Sequence, residues 1–136
     1  MQDIHESACA RMTLSQWALQ LMATATGAAD KGVAQLYEGA FRPPEKRHEP
    51  WVARCRTQME AGLSELDRRC AERGGEWLLG PRPGQADITL TAVSTFLHEA
   101  LQLPAARYPA LNERTARGEA LPAFREFHRP FFVPGS

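Results

Sequence analysis

Residues 74–93 read GGEWLLGPRPGQADITLTAV, and the order of features in this stretch decides the fold. Gly74-Gly75 ends whatever helix precedes it, because glycine loses the most backbone freedom on ordering and paired glycines favour turns. The segment from Glu76 to Pro83 carries an apolar middle, Trp77, Leu78 and Leu79, beside Gly80, Pro81 and Pro83, so it reads as a loop that plugs into neighbouring helices. A helix follows. With Gly84 at the N-cap, Asp87 falls at N3, where a carboxylate reaches back to the N-cap N–H and complements the helix dipole. Ile88, Ala92, Val93, Phe96, Leu97, Ala100 and Leu101 are then spaced to fill a core along a helix ending near Gln102.

Working toward the N-terminus, Val52, Cys55, Met59, Gly62, Leu63, Leu66 and Cys70 step by three and four, which predicts a long helix opened by Pro50 in its first turn and stopped at Gly74. Pro43, Pro44 and Pro50 lie among charges in the connection before it. Earlier still, apolar residues at 14, 17, 18, 21, 22 and 25, then at 29, 33, 36, 37 and 40, predict a first long helix or helix pair with one buried stripe. Its middle, with Ala23, Ala25, Gly27, Ala28, Ala29 and Gly32, is small enough for another helix to come close, with a kink expected near Gly27. Toward the C-terminus, Tyr108-Pro109 opens a helix through Arg117 and Pro122 opens another around Phe124 and Phe127, before an aromatic, proline-rich tail from Pro130 to Ser136. No window alternates with period two and no repeat appears. The chain therefore reads as one all-α domain over residues 1–136, a bundle of about five helices.

Composition narrows the function classes. With 16 basic and 16 acidic residues among 136, the chain lacks the cationic excess that binding to nucleic acid or anionic lipid requires. The one basic block, Arg42, Lys46, Arg47, Arg54 and Arg56, is short and reads as a solvated loop and helix start. Met12 to Ala29 is uncharged over 18 residues, but Thr13, Ser15, Gln16, Gln20, Thr24, Thr26 and Gly27 make it too polar for a membrane span. Asp3 and Glu6 precede it, so it is no signal peptide either. Cys9, Cys55 and Cys70 are odd in number and lack CxxC spacing, which disfavours disulfides and zinc and suits a reducing cytoplasm.

No constellation of catalytic or metal-ligating residues emerges. His5, His48, His98 and His128 are scattered; Ser94 and His98 share a helix face four residues apart, a pairing that is usually structural. His98-Glu99 lacks the HExxH pattern, and the glycines at 74, 75 and 80 precede no GK[ST]. Trp17, Trp51 and Trp77 sit at helical or loop apolar positions and read as core.

The order of these pieces resembles the C-terminal helical domain of bacterial glutathione S-transferases. GGEWLLGPRPGQADITLTAV is similar to that family's Trp-Leu-Leu-Gly loop leading into a capping box and core helix. ATGAADKGVAQLYEGAFRPPEKRHEPWVARCRTQMEAGLSEL looks like its first two helices, and PAARYPALNERTARGEALPAF like its Y-P-x-L helix and the short helix after it. The resemblance implies that the family's thioredoxin-like N-terminal domain, which holds glutathione and activates its thiol, is absent from this chain. It therefore implies no catalytic residue, no metal and no cofactor site here, with glutathione as co-substrate of a full-length transferase. The helical domain would supply an apolar wall for the electrophile, from Trp17, Leu21, Thr24, Phe131 and Phe132. It would also supply homodimer contacts through the first two helices. Asp87 carries over as a folding residue, and Gly84 stands where the family has a hydroxyl, a change worth only a few tenths of a kcal/mol. The alternative is a stand-alone helical interaction module, its exposed strip on the first two helices covered by the missing domain or another protein, with no role for nucleic acid or membrane.

Overall fold

The structure, a computed structural model, describes residues 12–133. Among them are five α-helices, α1 (Leu14–Phe41), α2 (Glu49–Glu72), α3 (Gln85–Leu101), α4 (Pro109–Glu119) and α5 (Pro122–Phe127), joined in part by single 3₁₀ turns at Pro44–Lys46 and Ala105–Arg107. No strand occurs among the described residues. Cys9 and His5 lie outside them. Helix α1 packs against both α2 and α3, and α4 packs in turn against α2 and α3.

Helix boundaries follow local chemistry. Thr13 caps α1: its hydroxyl accepts from the Gln16 N–H at 3.1 Å while the Gln16 side chain accepts from the Thr13 N–H at 2.9 Å. Proline occupies the first turn of α2, α4 and α5, where no intrahelical N–H is lost. α3 ends at Gln102, whose φ of 50° turns the chain out of the helix. Helix α1 runs unbroken through Gly27, so the helix pair that its small middle permits does not form.

The core comprises Leu21, Ala25 and Ala28 of α1, Met59, Leu63 and Leu66 of α2, Leu90 and Leu97 of α3, and Tyr108 and Leu111 at the start of α4, with Leu78 inserted from the loop. Several expectations change. The buried seam of α1 continues from Ala25 through Ala28, Gly32, Gln35 and Glu38, rather than along the more apolar residues 29, 33, 36, 37 and 40. Trp77 and Leu78 plug into the helices as read, whereas Leu79 is exposed. Ile88 is exposed on the first turn of α3, and Trp51 is exposed on α2, with the Lys31 ammonium over its ring at 5.5 Å. Helix and loop geometry, which fixes direction from the core, overrides hydrophobicity at these positions.

Candidate functional site

Asp87 organises the stretch on which the fold turns. It is buried, and its two carboxylate oxygens accept from the Gly84 N–H at 2.9 Å and from the Leu78 N–H at 3.0 Å. The cap read from sequence is present, and the second bond ties the Trp77-Leu78 loop to the helix it precedes. On the far side of that loop, the Arg73 guanidinium donates to the Leu78 carbonyl at 2.9 and 3.0 Å and lies over the Trp17 ring at 4.9 Å.

A cleft of about 390 Å³ opens where the chain leaves α5 and folds back over α3. Helix α3 contributes Ala92, Thr95, Phe96 and Glu99, α5 contributes Phe124, and His128 leads into the segment ending at Phe131 and Phe132. That returning segment is fastened at several points. Glu99 Oε2 accepts from the Phe131 N–H at 3.0 Å, and Glu99 Oε1 lies 2.8 Å from His128 Nε2. The latter is an ion-pair approach rather than an in-line hydrogen bond, since His128 Nε2 has no hydrogen-bond partner. Phe131 meets Phe96 edge to face with centroids 5.2 Å apart, and the Phe124 and His128 rings stack at 5.1 Å.

The polar groups of the cleft are mostly committed to its own architecture. Thr95 Oγ1 donates to Glu119 at 2.6 Å, and both Glu99 oxygens hold the returning segment. What faces an occupant is then largely aliphatic and aromatic, a lining suited to an apolar group. Of the residues assigned to an electrophile wall, Phe131 and Phe132 lie in this cleft; Trp17, Leu21 and Thr24 do not. Leu21 is fully buried in the core, Trp17 is half-buried beneath Arg73, and Thr24 donates to the Gln20 carbonyl at 2.9 Å. The sequence assigns Phe96 to the core and Phe124 to the last helix, and gives Glu99 and His128 no part in a cleft. The density of aromatics from 124 to 132 was a signal for Phe124 and His128; nothing local marked Phe96 and Glu99 as cleft residues.

Nothing in the described chemistry points to a nucleophile. His98 Nδ1 sits 2.8 Å from the Ser94 carbonyl, the geometry of an N–H donated to the backbone, with the Ser94 hydroxyl at 3.4 Å. The ring nitrogen that faces Ser94 therefore carries a proton and is no base for it. Cys70 is buried, and burial pushes its thiol up to about 12, with the Arg114 charge opposing the shift. Among the described residues no group of three His, Cys, Asp or Glu side chains is placed to hold a metal. Nor is any helix there long and apolar enough to cross a membrane.

Comparison with known proteins agrees with this architecture. No curated protein matches the chain. Solved structures share its fold, two of them as follows. One is a glutathione S-transferase from Methylobacterium radiotolerans in complex with glutathione sulfonate, 29% identical with a TM-score of 0.72, over 85% of this chain and 55% of that one. The other is a glutathione S-transferase from Methylobacillus flagellatus with glutathione bound, 23% identical with a TM-score of 0.72, over 80% of this chain and 54% of that one. The chain thus spans just over half the length of each. The model of the family described as glutathione S-transferase, C-terminal domain, matches residues 49–129, well over half of the sequence. The chain belongs to the glutathione S-transferase C-terminal domain family.

Proposed function

We propose that this chain is the electrophile-binding half of a bacterial, cytoplasmic glutathione transferase of detoxification type, unable to conjugate glutathione by itself. Glutathione is the co-substrate, held and activated outside the described residues, and the helical domain offers apolar surface to the second substrate. The observation that carries the reading is the cleft between α3 and the returning segment. Ala92, Phe96, Phe124 and Phe131 line it, and its carboxylate is already engaged. The occurrence of glutathione or its sulfonate in the two similar structures supports the co-substrate.

The decisive experiment pairs binding with turnover. A chlorinated nitroaromatic titrated into the chain should shift the Ala92 methyl resonance saturably, while addition of glutathione should give no conjugation above the uncatalysed rate. Failure to perturb Ala92 removes the cleft from the reading, and turnover by the chain alone overturns the claim of inactivity.

Contacts between subunits are proposed on the first two helices. Leu19, Tyr37 and Phe41 of α1 and Trp51 of α2 are exposed there, with Tyr37 and Phe41 in edge-to-face contact at 5.2 Å. The same exposure favours the second reading, an interaction module whose partner is a different protein. Sedimentation of the purified chain separates the two, since a homodimer forms without any added partner.

A further inference from the structure

Positive charge gathers at the C-terminal end of α2, away from the cleft. A pocket of about 260 Å³ between that end and α4 is lined by Arg73, Gly74, Gly75, Glu113, Arg114 and Arg117, among others. Three guanidiniums against one carboxylate leave a formal excess of two positive charges, and Glu113 is itself engaged by Arg117 at 2.6 Å. The negative end of the α2 dipole, about half a charge, offsets only part of this. Asp67 and Asp87 are also near and offset more of the charge, but neither lines the pocket, and their oxygens hold the N–H groups of Leu111, Leu78 and Gly84.

Arg114 is the unusual member. It is 8% exposed, and among the described residues no carboxylate lies within ion-pair distance of it. Its Nη2 donates to the Arg73 carbonyl, and its Nη1 is buried with no partner. A guanidinium taken out of water without a counter-charge is costly, and the cost falls when an anion comes close. The backbone beside it is suited to that anion. The N–H groups of Gly74 and Gly75 make no hydrogen bond among the described residues. Gly75, with φ of +96°, turns the chain at the edge of this pocket. Arg73 uses Nε and Nη2 on the Leu78 carbonyl and leaves Nη1 uncommitted.

We propose that this pocket binds a small phosphoryl oxyanion, either free phosphate or the phosphate of a monoester. Guanidinium forks and unengaged backbone N–H groups both match phosphate oxygens. A phosphate group presents three oxygens to guanidiniums and backbone N–H groups at once, whereas a carboxylate presents two.

The test is an amide-resolved NMR titration of the full chain with inorganic phosphate, with phenyl phosphate as the monoester and with acetate at equal ionic strength. Phosphate should move the Gly74 and Gly75 amides saturably, with a dissociation constant of about 1 mM, and acetate should not. Stronger binding of phenyl phosphate identifies the monoester as the ligand class, and stronger binding of phosphate identifies the free anion. Arg117 holds the turn itself, donating to the Gly75 and Glu76 carbonyls at 3.1 and 2.9 Å, so the variant of choice is Glu113→Gln, which removes the carboxylate lining the pocket and should strengthen phosphate binding about tenfold while the remaining amide spectrum stays folded. The proposal is overturned by unsaturable phosphate shifts, by equal shifts with acetate, or by a substituted chain that binds phosphate no more tightly than the parent.

Discussion

Asp87 illustrates how much one side chain can fix. Its carboxylate satisfies two N–H groups on either side of a seven-residue loop segment, from Leu78 to Gly84, and so joins loop to helix in one buried contact. Asp87→Ala should lower stability by about 3 kcal/mol, because two N–H donors lose a charged acceptor in a buried site. Urea unfolding checks it. Glu65 makes the contrasting case on the surface of α2. Hydrogen bonds from Arg68 and then Arg69 hold its carboxyl at about 2, against an ordinary value of 4.5. A depressed carboxyl stabilises the fold above its unfolded value and loses that contribution as pH falls through the folded one. Glu65→Gln should therefore cost at most about 1 kcal/mol at neutral pH, reflecting solvent screening. The difference from the parent should vanish as pH falls from 4.5 toward 2, and thermal melts across that range measure it.

At the scale of elements, α1 shows why hydrophobic periodicity alone can choose the wrong face. Its buried seam passes through Gln35 and Glu38, while Tyr37 is exposed. Both polar residues have partners: Gln35 donates to the Lys31 carbonyl at 3.2 Å and approaches Met59 sulfur at 3.6 Å. Glu38 accepts from the His48 N–H at 3.0 Å and pairs with Arg42 at 3.0 Å. Once polar groups are so satisfied, the rotation of α1 is set by the small residues that admit α2 and α3. Two glycines give opposite expectations. Gly27 has open space around a would-be Cβ, so Gly27→Ala should raise stability by about 0.8 kcal/mol through helix propensity. At Gly118 the added methyl would lie on the Thr91 hydroxyl and within 2.8 Å of its Cβ, where α4 crosses α3. Gly118→Ala should cost about 3 kcal/mol by overpacking, and chemical denaturation of both variants reads the two signs.

For the molecule as a whole, the partner face proposed on the first two helices carries exposed Leu19, Tyr37, Phe41 and Trp51. Tyr37→Glu places a charge within the α1 patch without touching the core, and should shift the chain to monomer in sedimentation velocity if the homodimer uses that face. The spectroscopic signature of the helices should be unchanged.

The five helices, their proline starts, the loop and the Asp87 cap were legible in the sequence, because they depend on spacing and on backbone chemistry within a few residues. Family membership was legible for the same reason, through motifs in a fixed order. Which face of α1 is buried was not, since Gln35 and Glu38 become acceptable inside only when Met59 and His48 arrive from elsewhere in the chain. Nor was the cleft, which exists because Glu99 on α3 captures the Phe131 N–H some 32 residues later. The sequence determined the elements and the family by local rules. Only tertiary structure decided which residues meet, because those contacts join positions whose separation along the chain carries no periodic signal.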